Sequence, residues 1–101
     1  MGQGERRFPI SGGTVVCTTS YVMRNGSPIL MVSHDADGEG RTGWQFHAGN
    51  DDYEPEVLML VTLDEVLRLD PSITEVADLA PNWEARRRTK GGPWVRKPSD
   101  P

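Results

Sequence analysis

Among the residues that most often run chemistry, this 101-residue chain holds one cysteine and two histidines. With Cys17 alone no intrachain disulfide can form, and a lone cysteine in the apolar run Val15-Val16-Cys17-Thr18 reads as a buried strand thiol. His34, His47 and Cys17 supply three ligands at no fixed spacing, whereas structural zinc sites show paired Cys or His at close intervals. Long apolar runs are missing too: nothing approaches the roughly 20 residues needed to cross a bilayer. Glu5, Arg6 and Arg7 stand before Phe8-Pro9-Ile10, where a signal peptide would need an apolar core. These absences lead us to expect a cytoplasmic protein with no membrane association, no metal and no cofactor. There is no internal repeat, and the eight prolines and eleven glycines are dispersed. A hydrophobic fraction of 36% supports one modest core.

The formal charge of −4 conceals an uneven distribution. Residues 35–84 carry thirteen acidic side chains against Arg41 and Arg68, while residues 85–97 carry six basic ones and no acid. An acidic middle would steer a basic partner, and a basic tail would favour phosphate; either pattern also suits a merely solvated face.

Strand and helix signals follow one another along the chain. Residues 1–13 read as a flexible lead. Thr14–Met23 is rich in β-branched and aromatic residues, Ile29–Val32 is a second apolar run, and Asn25-Gly26 between them is a strong hairpin signal. After the polar loop Asp35–Thr42, Trp44 and Phe46 alternate with Gln45 and His47, which puts both rings on one face of a third strand. Val57–Val61 is apolar without alternation, the pattern of a central strand covered on both sides. Thr62 with Glu65 makes a capping box at the start of an amphipathic helix that Asp70-Pro71 stops. Ser72 with Glu75 repeats the signal for a second short helix ended by Pro81, and Trp83, at helical spacing from Leu79 and Ala80, reads as a core residue. Pro93-Trp94-Val95 marks a last, edge strand. The expected fold is α+β: a small, mostly antiparallel sheet of about five strands with an N-terminal β-hairpin and two short helices packed on one face. One domain over residues 14–97 and a disordered tail over 98–101 complete it.

No catalytic constellation emerges. Asp35-Ala36-Asp37-Gly38-Glu39-Gly40 imitates the start of a calcium loop, but the twelfth position is Phe46 where a bidentate glutamate is required. Ser33, His34 and Asp35 are adjacent in a strand, so they point to different sides and cannot form a local triad. No nucleophile elbow, phosphate-binding glycine loop or H-E-x-x-H pair is present. Arg86-Arg87-Arg88 and Lys90, flanked by Trp83 and Trp94, are the one feature suited to nucleic acid. The overall acidity, with a pI near 5.0, favours a solvated terminus for them. Asp51, Asp52, Glu54 and Glu56 crowd a loop, where presenting negative charge to a basic protein is the natural task.

The order of Asn25-Gly26, Gly43-Trp44-Gln45-Phe46-His47-Ala48-Gly49-Asn50-Asp51-Asp52 and the segment Thr62–Leu79 resembles a bacterial domain family grouped with the immunity proteins of polymorphic toxin systems, the immunity protein 33-like domains. The resemblance covers about residues 14–97. Its most specific residues are Gly43-Trp44, Phe46, Gly49, Asp51-Asp52 and Asp70-Pro71. His47 stands where the family more often has an aromatic residue, and the arginine-rich tail is more basic than the family pattern. The resemblance implies a non-enzymatic protein that protects its producer by binding a cognate toxin. The partner-binding residues then expected are Asp35, Asp37, Glu39, Trp44, Asp51, Asp52 and Glu54. If the toxin is a basic nuclease, the six carboxylates would imitate phosphates in its cleft. The alternatives are a nucleic-acid-binding accessory acting through the basic segment and a structural interaction module; the oligomeric state stays open.

Overall fold

A computed structural model describes residues 7–99. The fold is α+β, a six-stranded sheet in the order β4-β1-β3-β2-β5-β6 with short helical segments packed on one face. The strands are β1 (Val15–Thr19), β2 (Met31–Ala36), β3 (Thr42–His47), β4 (Leu58–Thr62), β5 (Trp83–Arg86) and β6 (Val95–Pro98). All neighbours are antiparallel except β1 and β3. One turn of helix, α1 (Ser20–Met23), follows β1, and α2 (Leu63–Leu69) follows β4; Pro55–Val57 and Pro71–Val76 are 3₁₀ segments.

The expected N-terminal hairpin does not form. β1 and β2 are separated by β3, and Ser20–Met23 winds into α1, with Arg24 and Asn25 N–H both donating to Ser20 C=O. Gly26 does adopt the positive φ of a turn, 71°, but the turn carries the chain past β3. The reason is burial: Trp44 and Phe46 on β3 are the largest buried apolar side chains of the sheet, and seating β3 between β1 and β2 places both at its centre. The hairpin that forms is β2–β3, paired from Met31↔His47 to Ala36↔Thr42. Its loop is closed by the Asp37 carboxylate, which accepts from the N–H of Glu39 (2.8 Å) and Arg41 (3.2 Å).

The core lies between the helical segments and one sheet face, joining Val16, Val32, Trp44, Phe46 and Ala85 to Val22, Leu63, Val66, Ile73, Val76 and Leu79. Phe8 is buried in it, edge-on to Trp44 with ring centroids 4.8 Å apart, and Ile10 packs alongside. The lead assigned to residues 1–13 is therefore packed from Phe8 onward, because the sheet face would otherwise expose two rings; residues 1–6 lie outside the described residues. At the other end Pro98 belongs to β6 and Ser99 N–H bonds to Asn82 C=O (2.8 Å), so the tail expected at 98–101 is held as far as residue 99; residues 100–101 lie outside the described residues.

Both helix signals mark real starts, one of them displaced. Thr62 Oγ1 accepts from Glu65 N–H (3.3 Å) while Glu65 accepts from Thr62 N–H (3.1 Å), the reciprocal box expected. The second segment is capped by Asp70 and not by Ser72: its carboxylate accepts from Ser72 N–H (3.0 Å) and Ser72 Oγ (2.6 Å). Pro71, with φ preset for a first helical residue, fixes the start there.

Gly49 ends β3 at φ 79°, with the position of a side-chain Cβ only 2.9 Å from Leu30 Cβ. Both backbone sign and space exclude a larger residue. Gly49→Ala is expected to destabilise the fold by roughly 1–3 kcal/mol, read by urea unfolding; no change in midpoint would show that the turn relaxes freely.

Candidate functional site

Strand alternation sends every second side chain to the face opposite the core. That face carries Val15, Cys17 and Thr19 from β1, Leu58, Leu60 and Thr62 from β4, and Gln45 and His47 from β3. It continues with Met31, Ser33 and Asp35 from β2, Glu84 and Arg86 from β5, and Val95 and Lys97 from β6. Among the described residues no helix covers it. Over β2, β3 and β5 the face is largely polar and internally bonded, whereas Val15 on β1 and Leu58 and Leu60 on β4 leave apolar surface exposed. Val15 is 60% exposed and Leu60 75%.

In the polar half Gln45 Nε2 donates to Asp35 Oδ2 (2.8 Å), which also accepts from Ser33 Oγ (3.3 Å). Gln45 Oε1 is thereby left as the acceptor 2.8 Å from His47 Nε2, so the imidazole proton sits on Nε2. His47 Nδ1 is buried without a described hydrogen-bond partner. Tyr53 closes over the ring edge-on at 4.9 Å, and its hydroxyl donates to Asp51 (3.2 Å), which also faces Arg86 at 3.4 Å. Arg86 is held charged chiefly by its 2.8 Å bond to Glu84. The loop after β3 is thus pinned across the end of the sheet, and a 2.6 Å bond from Tyr21 Oη to Asp52 pins it to α1; that bond draws the Asp52 carboxyl below its usual range.

Burial pushes the Cys17 thiol up, with Asp35 adding to it, so the protonated form dominates at neutral pH and the thiol is a poor nucleophile. Ser33 and Asp35 share this face, whereas His34 lies on the core side, stacked on Trp44 at 4.0 Å with Nδ1 2.7 Å from Leu79 C=O. Among the described residues no three His, Cys, Asp or Glu side chains converge as a metal site, and no helix is long and apolar enough to cross a membrane.

Of the seven residues expected to bind a partner, Trp44 is 2% exposed and cannot touch one. The other six do not form one patch. Asp37 and Glu39 lie in the β2–β3 loop, both paired with Arg41. Asp51, Asp52 and Glu54 lie beyond the opposite end of β3, about 17 Å away by the rise of a strand. Asp35 stands on the sheet between them. The apolar half of the face was not anticipated: β4, expected at the centre, is an edge strand, paired among the described residues with β1 alone. Lack of alternation in Val57–Val61 reads equally as two covered faces or as one covered and one open apolar face, and only the strand order separates them.

The basic segment is likewise divided. Arg87 is buried with its guanidinium 2.8 Å from Asp70, and Arg86 is paired with Glu84 and Asp51, leaving Arg88 and Lys90 exposed. Trp83, read above as a core residue on a helix, is a strand residue of β5 and 38% exposed.

Against protein-family models, curated proteins and solved structures, nothing matches this chain.

His47 gives the face a pH dependence. Its pKa lies below the ordinary histidine value, first because the ring is buried and also because Arg86 is near, with Asp35 opposing. The unfolded chain therefore takes up a proton near pH 6.5 that the folded one refuses. Stability from this group is full above that pH and falls as pH drops toward the folded value. Urea unfolding at pH 7.5 and 5.5 should show the loss, and His47→Phe should flatten it; an unchanged slope in the variant would assign the effect to other groups.

Proposed function

We propose that this chain is a non-catalytic immunity-type protein that neutralises a cognate bacterial toxin by direct binding. The observation that carries the reading is the helix-free sheet face, where exposed Val15 and Leu60 lie between acidic segments at either end of β4. A contiguous apolar surface rimmed by charge is what a protein partner covers. The resemblance in Gly43-Trp44, Phe46, Gly49, Asp51-Asp52 and Asp70-Pro71 supplies the class of partner. Phosphate mimicry by all six carboxylates loses support, since two of them are engaged by Arg41 at the far end of β3. The nucleic-acid alternative is weakened by the burial of Arg87 at the centre of the basic run.

The test is to co-express the chain with the product of the adjacent reading frame. A stable complex that restores growth to cells making that product would support the reading. Growth arrest that the chain neither relieves nor accompanies with a complex would overturn it.

A further inference from the structure

Leu63 N–H donates to Thr14 C=O at 3.0 Å, and hydrogen-bonded pairs alternate along an antiparallel ladder. The backbone groups of Met59 and Val61 therefore face β1, while those of Leu58, Leu60 and Thr62 face away from the sheet. Part of that outward edge is already satisfied. Thr62 N–H is taken by Glu65 in the capping box, and Leu58 N–H by Pro55 C=O. Among the described residues nothing bonds the N–H and C=O of Leu60 or the C=O of Leu58, a short template for one more strand.

The charges around this template select its occupant. Glu54 and Glu56 precede β4 and Asp64 and Glu65 follow it, all exposed. A second copy pairing antiparallel about Leu60 would bring the acidic segment before β4 in each chain toward the acidic start of α2 in the other. Like charges brought together there oppose that pairing at both ends. The same arrangement attracts a segment with the opposite pattern.

We propose that β4 receives an extended segment of the toxin as an added antiparallel strand, with apolar residues opposite Leu60 and Lys or Arg on both sides. The segment's N–H and C=O exchange hydrogen bonds with Leu60, its apolar side chains pack beside Leu58 and Leu60, and its basic ends meet Glu54, Glu56, Asp64 and Glu65. This inference rests on the toxin-binding reading and specifies where and how the toxin is held.

The full chain would be titrated with a synthetic peptide, Lys-Arg-Val-Thr-Val-Thr-Val-Arg-Lys, and with the same peptide carrying Glu at its four basic positions. Amide hydrogen exchange would be followed by NMR. The basic peptide is expected to slow exchange of the Leu60 amide at least ten-fold and to bind at least ten-fold more tightly than the acidic one, with the difference shrinking in high salt. Leu60→Pro removes one outward N–H and leaves the β1 ladder intact, so it should abolish binding while the chain stays folded. Leu60→Val should retain binding. Should Leu60→Pro lose the fold, Leu60→Lys replaces it at this exposed position and should weaken the basic peptide ten-fold.

Equal affinity for the two peptides, or an unprotected Leu60 amide at saturation, would overturn the proposal. So would a dimer in sedimentation with Leu60 protected before any peptide is added. A toxin complex that forms normally with Leu60→Pro would reject this edge while leaving the immunity reading intact. Peptide binding at Leu60 without any toxin complex would do the reverse.

Discussion

Arg87→Ala is expected to lower folding stability by about 3–5 kcal/mol, the usual cost of removing one partner from a buried ion pair. The side chain of Arg87 is fully buried. Its Nη2 donates to Asp70 Oδ2 (2.8 Å), Nη1 to Ser72 Oγ (3.0 Å) and Nε to Ile29 C=O (3.0 Å). The guanidinium lies 4.1 Å from the Trp94 ring centroid. One side chain thus ties the segment before β2, the cap of the Pro71–Val76 turn and the approach to β6. Truncation would leave the buried Asp70 carboxyl without its partner. For a domain of this size the melting temperature should fall by roughly 15 °C or more. Arg87→Lys should recover little, because a single ammonium cannot reach three acceptors set around a planar fork. Asp70→Ala should cost a similar amount, and the double variant less than the sum of the two. A loss under about 1 kcal/mol for Arg87→Ala would mean that the guanidinium leaves the core readily. It would then return to the exposed basic run.

Trp44→Ala should cost about 3–5 kcal/mol as well, for a different reason: an indole leaves a cavity that its neighbours cannot close. The ring stacks on His34 at 4.0 Å, meets Phe8 edge-on and lies parallel to Phe46 at 6.4 Å. Trp44→Phe should be far milder. It keeps most of the apolar volume and removes an indole N–H that is buried without a described acceptor. The comparison bears on function too. A variant at Trp44 should weaken partner binding only in proportion to the unfolded fraction, whereas a Leu60 variant should weaken it in a fully folded chain. Unfolding curves set beside binding isotherms for both positions separate the two. Binding lost in a Trp44 variant that unfolds at the wild-type midpoint would place that ring at the interface after all.

Much of the chemistry between residues close in the chain was legible. The Thr62–Glu65 box forms as written because its four atoms lie within one helical turn. Trp44 and Phe46 share a face because strand alternation leaves no choice. The failures of topology concern which strand lies beside which. Asn25-Gly26 signals a turn and Gly26 makes one, yet no local signal says that β3 will take the place next to β1. Val57–Val61 signals an apolar strand, but its composition does not say whether a sheet continues on its far side.

The candidate site divides along the same line. The sequence by itself determined an α+β chain with an acidic middle, its capped helix and the aromatic pair of β3, since propensity, periodicity and charge count are properties of neighbouring residues. Only the tertiary structure decided that Arg87 is a core residue, that the acidic side chains fall into separate groups and that β4 is an edge with Leu60 exposed. Burial and strand order depend on contacts between residues tens of positions apart. Several pairings of the same strands satisfy the local rules, and the observed arrangement buries Phe8, Trp44 and Phe46 together, removing their apolar surface from water.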